Sequence, residues 1–238
     1  MEFPGYRPLY RQVYDIMVEK VAKGVWRAGE ALPSEQALAR ELGVSQGTMR
    51  KVLDAMTAEN LLERHQGKGT FVASNTQERA LFRFFRMVTP DGERVTPARG
   101  SETVAVRAAR AIEQKRLDLP KKQRVIEITR TRLLEGRPAI LETIILSASM
   151  FQGIETRRPL PNTLYSLYQT DFGINIISTE EQLRPDVANK EDHRMLGAPP
   201  GAPIQCIDRI AKTLQDRKVE WRLSRIYAPN LAYAVTLG

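Results

Sequence analysis

The chain has 238 residues, the size of one large domain or two smaller ones, and its single cysteine, Cys206, rules out an intrachain disulfide. Its composition, 42% hydrophobic and 27% charged, excludes a disordered or collagen-like chain. No apolar run approaches ~18 residues and the N-terminus lacks an apolar signal core, so we expect a cytoplasmic protein without a membrane span. Two histidines and one cysteine leave little for a metal site, and we expect no cofactor.

The net charge of +8 is distributed unevenly along the chain. Residues 79–137 hold fifteen Lys and Arg against seven Asp and Glu, whereas the stretches 1–75 and 138–238 are nearly balanced. A basic excess suggests an anionic partner, nucleic acid first, although it can also be no more than a soluble surface. Because the overall charge does not locate a nucleic-acid site, local spacing has to do so.

Three helices are predicted in the first sixty residues. The first has a stripe of apolar residues at helical spacing and ends near Gly24. Its stripe consists of Leu9, Val13, Ile16, Met17 and Val21. Ser34 can cap a second helix after Pro33, and Ser45 can cap a third after a turn at Gly43. The third helix has the core positions Met49, Val52, Leu53 and Met56. Two short helices joined by a glycine-containing turn indicate a helix-turn-helix.

The side of the third helix opposite its core can enter a DNA major groove with its N-terminal end first. It presents Gln46, Gly47, Arg50, Lys51 and Asp54. On this face, Gln46 can bond adenine and Arg50 can take guanine or a phosphate. Residues 61–65 and 70–72 then predict a hairpin wing, whose tip carries Lys68 for a phosphate between glycines that allow close backbone approach.

The motifs of residues 8–73 resemble the winged-helix domain of the GntR family of bacterial transcription regulators. They are Pro8-Leu9-Tyr10, Leu32-Pro33-Ser34-Glu35, Leu38-Ala39, Gly43-Val44-Ser45, Thr48-Met49-Arg50 and Gly67-Lys68-Gly69-Thr70-Phe71-Val72. The resemblance implies DNA contacts from Gln36, Ser45, Gln46, Gly47, Thr48, Arg50, Lys51, His65, Gly67, Lys68 and Gly69. Two positions where the family often has arginine hold Gln36 and Gln46, so we predict adenine where the family commonly reads guanine.

The rest of the chain predicts a mixed α and β domain with two hairpins, in which residues 104–112 fit helix and strand equally well. In the first hairpin, alternation puts Ile126, Ile128, Arg130, Arg132 and Leu134 on one face of a strand. Two guanidiniums on an apolar face are costly unless an anion meets them. The residues alone leave two readings open. Either an anionic ligand meets the two arginines, or no ligand is needed because that end of the strand is solvated or the arginines pair with Glu142 and Glu220.

Residues 90–230 resemble the UTRA effector-binding domain of the HutC-type branch of GntR regulators. Motifs that carry the resemblance include Leu119-Pro120, Arg130-Thr131-Arg132, Gly136-Arg137-Pro138, Leu164-Tyr165, Phe172-Gly173-Ile174, Val219-Glu220 and Tyr227. The resemblance implies a chorismate-lyase-like α+β fold whose pocket binds small, often acidic, metabolites. Its implied pocket residues are Arg99, Arg130, Arg132, Glu142, Thr163, Tyr165, Glu220 and Tyr227, with Arg130 and Arg132 on the anionic group and Tyr227 closing the site. Arg99 stands where the family has a small hydroxyl residue, which suggests a strongly anionic effector or a guanidinium that itself occupies the pocket.

The prediction is therefore an α+β protein with an N-terminal winged helix-turn-helix (1–74), a linker (75–86) and a C-terminal UTRA domain (87–238). We expect a homodimeric repressor that a small anionic metabolite releases from a double-stranded DNA operator. A non-specific nucleic-acid-binding protein is the alternative. A lyase-like enzyme is a weaker one, because the sequence offers no nucleophile–base pair, metal cluster or Gly-rich phosphate loop.

Overall fold

The structure, a computed structural model, describes residues 8–22, 24–59, 61–74, 84–213 and 216–235. Most of the predicted linker, residues 75–83, therefore lies outside the described residues. Within the part of the chain that is described, no helix is long and apolar enough to cross a membrane. The same residues contain no group of three or more His, Cys, Asp or Glu side chains that could hold a metal ion.

The N-terminal part is a three-helix unit followed by a hairpin, in the predicted order. Its elements are α1 (Leu9–Ala22), α2 (Glu35–Glu41), α3 (Gln46–Ala58), β1 (Leu62–His65) and β2 (Gly69–Val72). β1 and β2 pair antiparallel, so the winged helix-turn-helix is confirmed. The three helices and the hairpin share one core that includes Val13, Met17, Leu38, Met49, Val52, Leu53, Met56, Leu61, Leu62 and Val72.

The local signals at the helix ends are also confirmed. The side chain of Ser34 accepts a hydrogen bond from the Ala37 amide, and that of Ser45 accepts one from the Thr48 amide at 3.1 Å. The predicted stripe of α1 was wrong at two positions: Leu9 and Ile16 are exposed, and Val18 is buried instead. Spacing alone does not show how far an apolar stripe extends around a helix.

The C-terminal part contains three helices and eight strands among the described residues. The helices are α4 (Ala111–Arg116), α5 (Leu164–Phe172) and α6 (Lys190–Leu196), with a short 3-10 helix at Ile154–Thr156. The strands are β3 (Met87–Val88), β4 (Ala98–Ala108), β5 (Arg124–Leu134), β6 (Arg137–Ser147), β7 (Ser178–Val187), β8 (Pro203–Lys212), β9 (Lys218–Ile226) and β10 (Ala232–Tyr233). Six of them form one antiparallel sheet in the order β4-β5-β6-β9-β8-β7, while β3 pairs with β10. The α+β class is confirmed.

The two faces of the six-stranded sheet carry different helices. One face packs against α5 through a core that includes Ile126, Ile128, Ile144, Leu146, Leu164, Tyr165 and Tyr168. The opposite face has one cluster beside the end of α4 and another beside the end of α6. The first contains Leu117, Val125, Ile145, Ile210 and Trp221, and the second contains Ala198, Ile204 and Cys206. Cys206 is thus a small buried residue of this cluster.

Two strands of this sheet that the sequence failed to show clearly are its two edges. β4 includes much of the ambiguous segment 104–112, and β7 had no strand prediction at all. No residue of β4 is fully buried and most side chains of β7 are exposed, which explains this result, because an edge strand buries less than a central one. Pro185 in β7 is a residue that sheets accept at an edge.

The two parts of the chain touch through the end of the wing. The Gln169 side chain on α5 donates a 2.9 Å hydrogen bond to the Ala73 carbonyl. Ile177, which directly precedes β7, packs against the core of the N-terminal part. The winged-helix part is therefore in direct contact with α5, the helix that covers one face of the sheet.

Candidate functional site: a nucleic-acid interface and an arginine-lined cavity

The recognition helix α3 separates its core from its exposed face as its spacing predicts. Met49, Val52, Leu53 and Met56 are buried. Gln46, Gly47, Arg50, Lys51 and Asp54 are exposed. Ser45 is exposed at the cap, and its Oγ lies 2.9 Å from the hydroxyl of the part-buried Thr48. The hydroxyls of Ser45 and Thr48, both predicted to contact DNA, thus form hydrogen bonds within the first turn of α3.

Arg50 on this face is held by an ion pair with Glu35. Its Nη2 lies 3.0 Å from Oε1 of Glu35, and its Nε donates to the same oxygen at 3.1 Å. Glu35 is the first residue of α2, and the exposed Gln36 follows it directly. The carboxylate limits the rotamers of a long side chain that is 60% exposed, which lowers the entropy that Arg50 loses when it binds.

The wing presents its basic tip on a tight turn. Gly67 and Gly69 have φ values of 72° and 113°, a region that favours glycine, and Lys68 between them is exposed. His65 is exposed as well, and its ring meets the edge of Phe71 at a centroid distance of 4.9 Å. Arg64 of the wing forms a 2.6 Å ion pair with Asp54 of α3. This pair joins the wing to the recognition helix.

The C-terminal part contains a cavity of about 50 Å³ between the sheet and the start of α5. Five of the eight predicted pocket residues line it: Arg130, Arg132, Glu142, Thr163 and Tyr165. Lining residues that the sequence prediction missed include Phe84, Phe85, Arg86, Met87, Asn162, Arg209, Arg222, Ser224 and Tyr233. Alternation along β9 was a usable signal for Arg222, which lies two residues after Glu220. No comparable signal pointed to Arg209 or to Phe84–Met87.

Glu142 is the acidic centre of the cavity wall. Arg130 Nε donates to its Oε2 at 2.6 Å, and Arg132 Nη1 lies 3.6 Å from the same oxygen. Arg222 Nη1 donates to the other oxygen at 3.1 Å. Burial acts to raise the pKa of Glu142, but the guanidiniums of Arg130, Arg222 and Arg132 together hold this pKa well below its ordinary value. The pairing with Glu142 that the residues left open is thus present, at the wall of a cavity.

Arg132 is the least neutralised of these cations. Its Nη2 donates to the Asn162 side chain at 2.8 Å. Its Nε is buried and has no hydrogen-bond partner among the described residues, and the same holds for the Thr163 hydroxyl. Burial, helped by the nearby charges of Arg130 and Arg222, lowers the pKa of Arg132 to about 10. Both orphaned groups belong to residues that line the cavity.

Glu220 is fully buried beneath the cavity rather than in its lining. Its carboxylate accepts hydrogen bonds from the Tyr165 and Tyr168 hydroxyls at 3.0 and 2.7 Å. It also accepts from Nε and Nη2 of Arg222, both at 2.9 Å. Glu220 therefore positions Tyr165 and Arg222.

Arg209 connects the cavity to the end of the predicted linker. Its Nε donates to Glu181 and its Nη2 to the carbonyl oxygen of Phe84, both at 2.5 Å. The Phe84 ring stands edge-on to Tyr165 at 4.8 Å. Phe84 and the two residues after it, assigned to the linker from sequence, are therefore packed over the cavity.

Besides Glu220, two predicted pocket residues do not line the cavity. The exposed Arg99 donates instead to the carbonyl oxygen of Leu160 at 3.2 Å. Tyr227 packs against the cluster of Ile204 and Cys206 on the opposite face of the sheet. The preceding residue, Ile226, lines the cavity, and the alternation of side chains turns Tyr227 to the other face of the sheet.

Comparisons with known proteins match both parts of the chain. Residues 9–72 match the family described as bacterial regulatory proteins, gntR family, and residues 97–229 match the UTRA domain. The mannosyl-D-glycerate transport/metabolism system repressor MngR of Escherichia coli (strain K12) is 29% identical, over 84% of this chain and 83% of that protein. The HTH-type transcriptional regulator SmoD of Agrobacterium fabrum is 30% identical, over 75% of this chain and 74% of that protein.

A solved structure resembles the C-terminal part. It is the ligand-binding domain of a GntR-family transcriptional regulator from Bordetella bronchiseptica. The similarity has a TM-score of 0.60 at 25% identity and covers 66% of this chain and 98% of that domain. The cavity therefore lies in a domain whose structural relative is described as binding a ligand.

Proposed function

The chain belongs to the GntR family of bacterial regulatory proteins and carries a UTRA domain, and on this basis we propose that it is a repressor whose effector is a small anionic metabolite held by Arg130 and Arg132. Regulators of this family bind DNA operators and respond to effectors. The proposal adds the charge of the effector, the residues that hold it and the way in which its binding reaches the DNA-binding part.

The excess of guanidinium at the cavity is the observation that carries the proposal. Four buried arginines line it: Arg130, Arg132, Arg209 and Arg222. Their carboxylate partners are three: Glu142, Glu220 and Glu181. Arg132 has the poorest compensation, and an uncompensated buried cation is costly. An effector anion would supply the missing charge.

The size and polarity of the cavity indicate which part of the effector binds here. A volume of about 50 Å³ holds roughly three to five waters at about 10–15 Å³ each, which is the space of a carboxylate or phosphate group. Thr163, whose hydroxyl has no partner among the described residues, also lines the cavity and is proposed to bind an oxygen of the effector. The name of the relative MngR refers to a mannosyl-D-glycerate, a carboxylate with sugar hydroxyls. We propose the same chemical class here, sugar acids or sugar phosphates.

Phe84–Met87 are proposed to carry the response from the cavity to the winged helix. They line the cavity and come directly after residues 75–83, which join the two parts. Arg209 holds the Phe84 carbonyl, so an anion that attracts Arg209 would change the anchoring of this segment. For release from mostly bound to mostly free, the effector must prefer the released arrangement about 10⁴-fold.

On the DNA side we propose a homodimer that reads two half-sites about one helical turn apart. Gln36 and Gln46 are both exposed and favour adenine in the major groove, whereas Arg50 takes a guanine or a phosphate. Site selection from random DNA checks this: half-sites without adenine preference would contradict the glutamine assignment.

The decisive experiment measures effector response and DNA binding on the same variants. Thermal shifts with glycerate, a hexose phosphate and inorganic phosphate identify an anion that binds, because a ligand specific for the folded state raises its stability. Arg130→Ala is expected to keep operator binding in gel shifts and to lose release by that anion. Arg137→Ala, at an exposed arginine of β6, is the matched control and is expected to respond normally.

Two outcomes would contradict the proposal. The first is an Arg130→Ala protein that the same anion concentration still releases from DNA. The second is equal affinity for operator and random DNA at moderate salt, which would favour the non-specific nucleic-acid-binding alternative.

A further inference from the structure

Arg222 occupies a compartment that is built to bind a cation. Its guanidinium donates to Glu142 through Nη1 at 3.1 Å and to Glu220 through Nε and Nη2 at 2.9 Å. Its Cζ lies 5.4 Å from the centre of the Tyr165 ring. All four side chains are buried. Two carboxylates and one aromatic ring around a guanidinium form the usual surroundings of a bound ammonium or guanidinium ligand.

We propose that Arg222 is the residue that determines effector charge: it fills this cation compartment from within the chain, so that the remaining cavity accepts only anions. The inference rests on the proposed function, because it concerns the selectivity of the same cavity. Arg222 thereby takes the role that the sequence suggested for Arg99, that of a guanidinium of the chain that itself occupies the pocket.

The burial of the two carboxylates explains why the compartment requires a cation. Glu220 is 0% exposed and Glu142 is 5% exposed. Ionised carboxylates at such sites need a positive partner, since water cannot solvate them. Arg130 and Arg132 also contact Glu142, but among the described residues the only cation in ion-pair contact with Glu220 is Arg222. Without Arg222, the compartment would present an unpaired negative charge next to an aromatic ring.

Arg222 also keeps the anion-binding arginines available. It holds Oε1 of Glu142 while Arg130 holds Oε2. An effector anion at Arg130 and Arg132 must compete with Glu142 for the same guanidiniums. Part of the negative charge of Glu142 is already neutralised by Arg222, so this competition is weaker than it would be without that residue. Removal of Arg222 is therefore expected to lower anion affinity and to create affinity for a cation.

The test asks whether a free guanidinium ion can take the place of the Arg222 side chain. Arg222→Ala and the wild-type full chain are heated with millimolar guanidinium chloride, with tetramethylammonium chloride as the control salt, and separately with inorganic phosphate. We expect guanidinium to raise the melting temperature of the variant by about 3–5 °C at about ten times its dissociation constant, and to leave the wild type unchanged. Phosphate affinity of the variant is expected to fall about tenfold, within the usual range of coupling between neighbouring sites.

A triple variant is the matched control. Arg222→Ala combined with Glu142→Gln and Glu220→Gln keeps the shape of the compartment but removes its negative charge, so guanidinium is expected to give no shift. The triple variant also provides a folded protein if Arg222→Ala alone is too unstable. In that case Arg222→Ala is refolded in each salt, and recovery of soluble protein in guanidinium but not in tetramethylammonium supports the proposal.

Three outcomes would overturn the inference: no guanidinium-specific effect on Arg222→Ala in melting or refolding, an equal effect on the triple variant, or unchanged phosphate affinity in Arg222→Ala. These outcomes are separable from failure of the proposed function. If the wild type does not bind phosphate or any tested anion, the effector assignment fails. If the wild type binds an anion and Arg222→Ala ignores guanidinium, only the role of Arg222 is refuted.

Discussion

Replacement of Arg132 by methionine is expected to stabilise the protein while abolishing its response to anions. Arg132 is 3% exposed, and burial lowers the pKa of its guanidinium to about 10. A base whose pKa is lower in the folded than in the unfolded chain destabilises the fold below the folded pKa, and this cost disappears as the pH rises towards the unfolded value. At neutral pH the full cost is therefore present. It amounts to about 3 kcal/mol, at about 1.4 kcal/mol for each pH unit.

The stabilisation expected for Arg132→Met is smaller than this cost of the buried charge. Arg132→Met removes the hydrogen bond to Asn162, which is worth about 1 kcal/mol and can be replaced by water because Asn162 is only half-buried. A methionine of similar length fills the space without a charge. The expected net effect is a stabilisation of about 2 kcal/mol, or a rise in melting temperature of about 4–8 °C.

Calorimetry with and without inorganic phosphate measures both parts of this prediction. Arg209→Met is the matched control in the same cavity, because Arg209 is fully paired with Glu181 and the Phe84 carbonyl. Its loss is expected to destabilise the domain by about 3 kcal/mol, since it leaves a carboxylate unpaired. The reasoning would be refuted if Arg132→Met melts below the wild type, or if phosphate still stabilises it to the same extent.

Three further predictions concern DNA binding and the loss of folding stability at low pH. Arg50→Ala is expected to weaken operator binding by roughly 1–3 kcal/mol and to reduce discrimination between operator and random DNA in gel shifts, and Glu35→Gln should show part of this loss because it releases Arg50. Lys68→Ala is expected to weaken binding to all DNA sequences alike and to lower the slope of log affinity against log salt concentration by about one. A loss of affinity that depends on the DNA sequence would contradict this. Glu142, whose pKa is held low by three guanidiniums, stabilises the fold above its ordinary pKa, and this contribution is lost as the pH falls through the lowered value. Thermal unfolding of Glu142→Gln should therefore show lower stability at neutral pH and a flatter loss on acidification than the wild type.

Two features relate the cavity to the DNA-binding part: the position of Phe84 in the chain and a contact made by α5. Phe84 follows the segment that joins the two parts and is held by Arg209. Gln169 of α5, the helix that begins beside the cavity, binds the Ala73 carbonyl at the end of the wing. A change at the cavity that moves α5 would therefore also act on the contact at the end of the wing.

Local sequence determined the N-terminal part almost completely. The caps at Ser34 and Ser45, the core stripe of α3 and the glycine turn of the wing all depend on residues within a few positions of each other. Such contacts can be read from spacing because they are set by the geometry of one helix or one turn. The same reason explains why alternation along β5 correctly placed Arg130 and Arg132 on one face.

Only the tertiary structure decided how the cavity is composed. Arg209 and Arg222 come from strands more than seventy residues after Arg130, and they meet it because β9 lies between β6 and β8 in the sheet. Strand order depends on long-range pairing, which alternation within one strand does not contain. For this reason the sequence could suggest a guanidinium in the pocket but not which one, and it could not show that Tyr227 faces the other side. The edge strands β4 and β7 stayed ambiguous for a related reason: they bury too little apolar surface to impose a clear pattern on their residues.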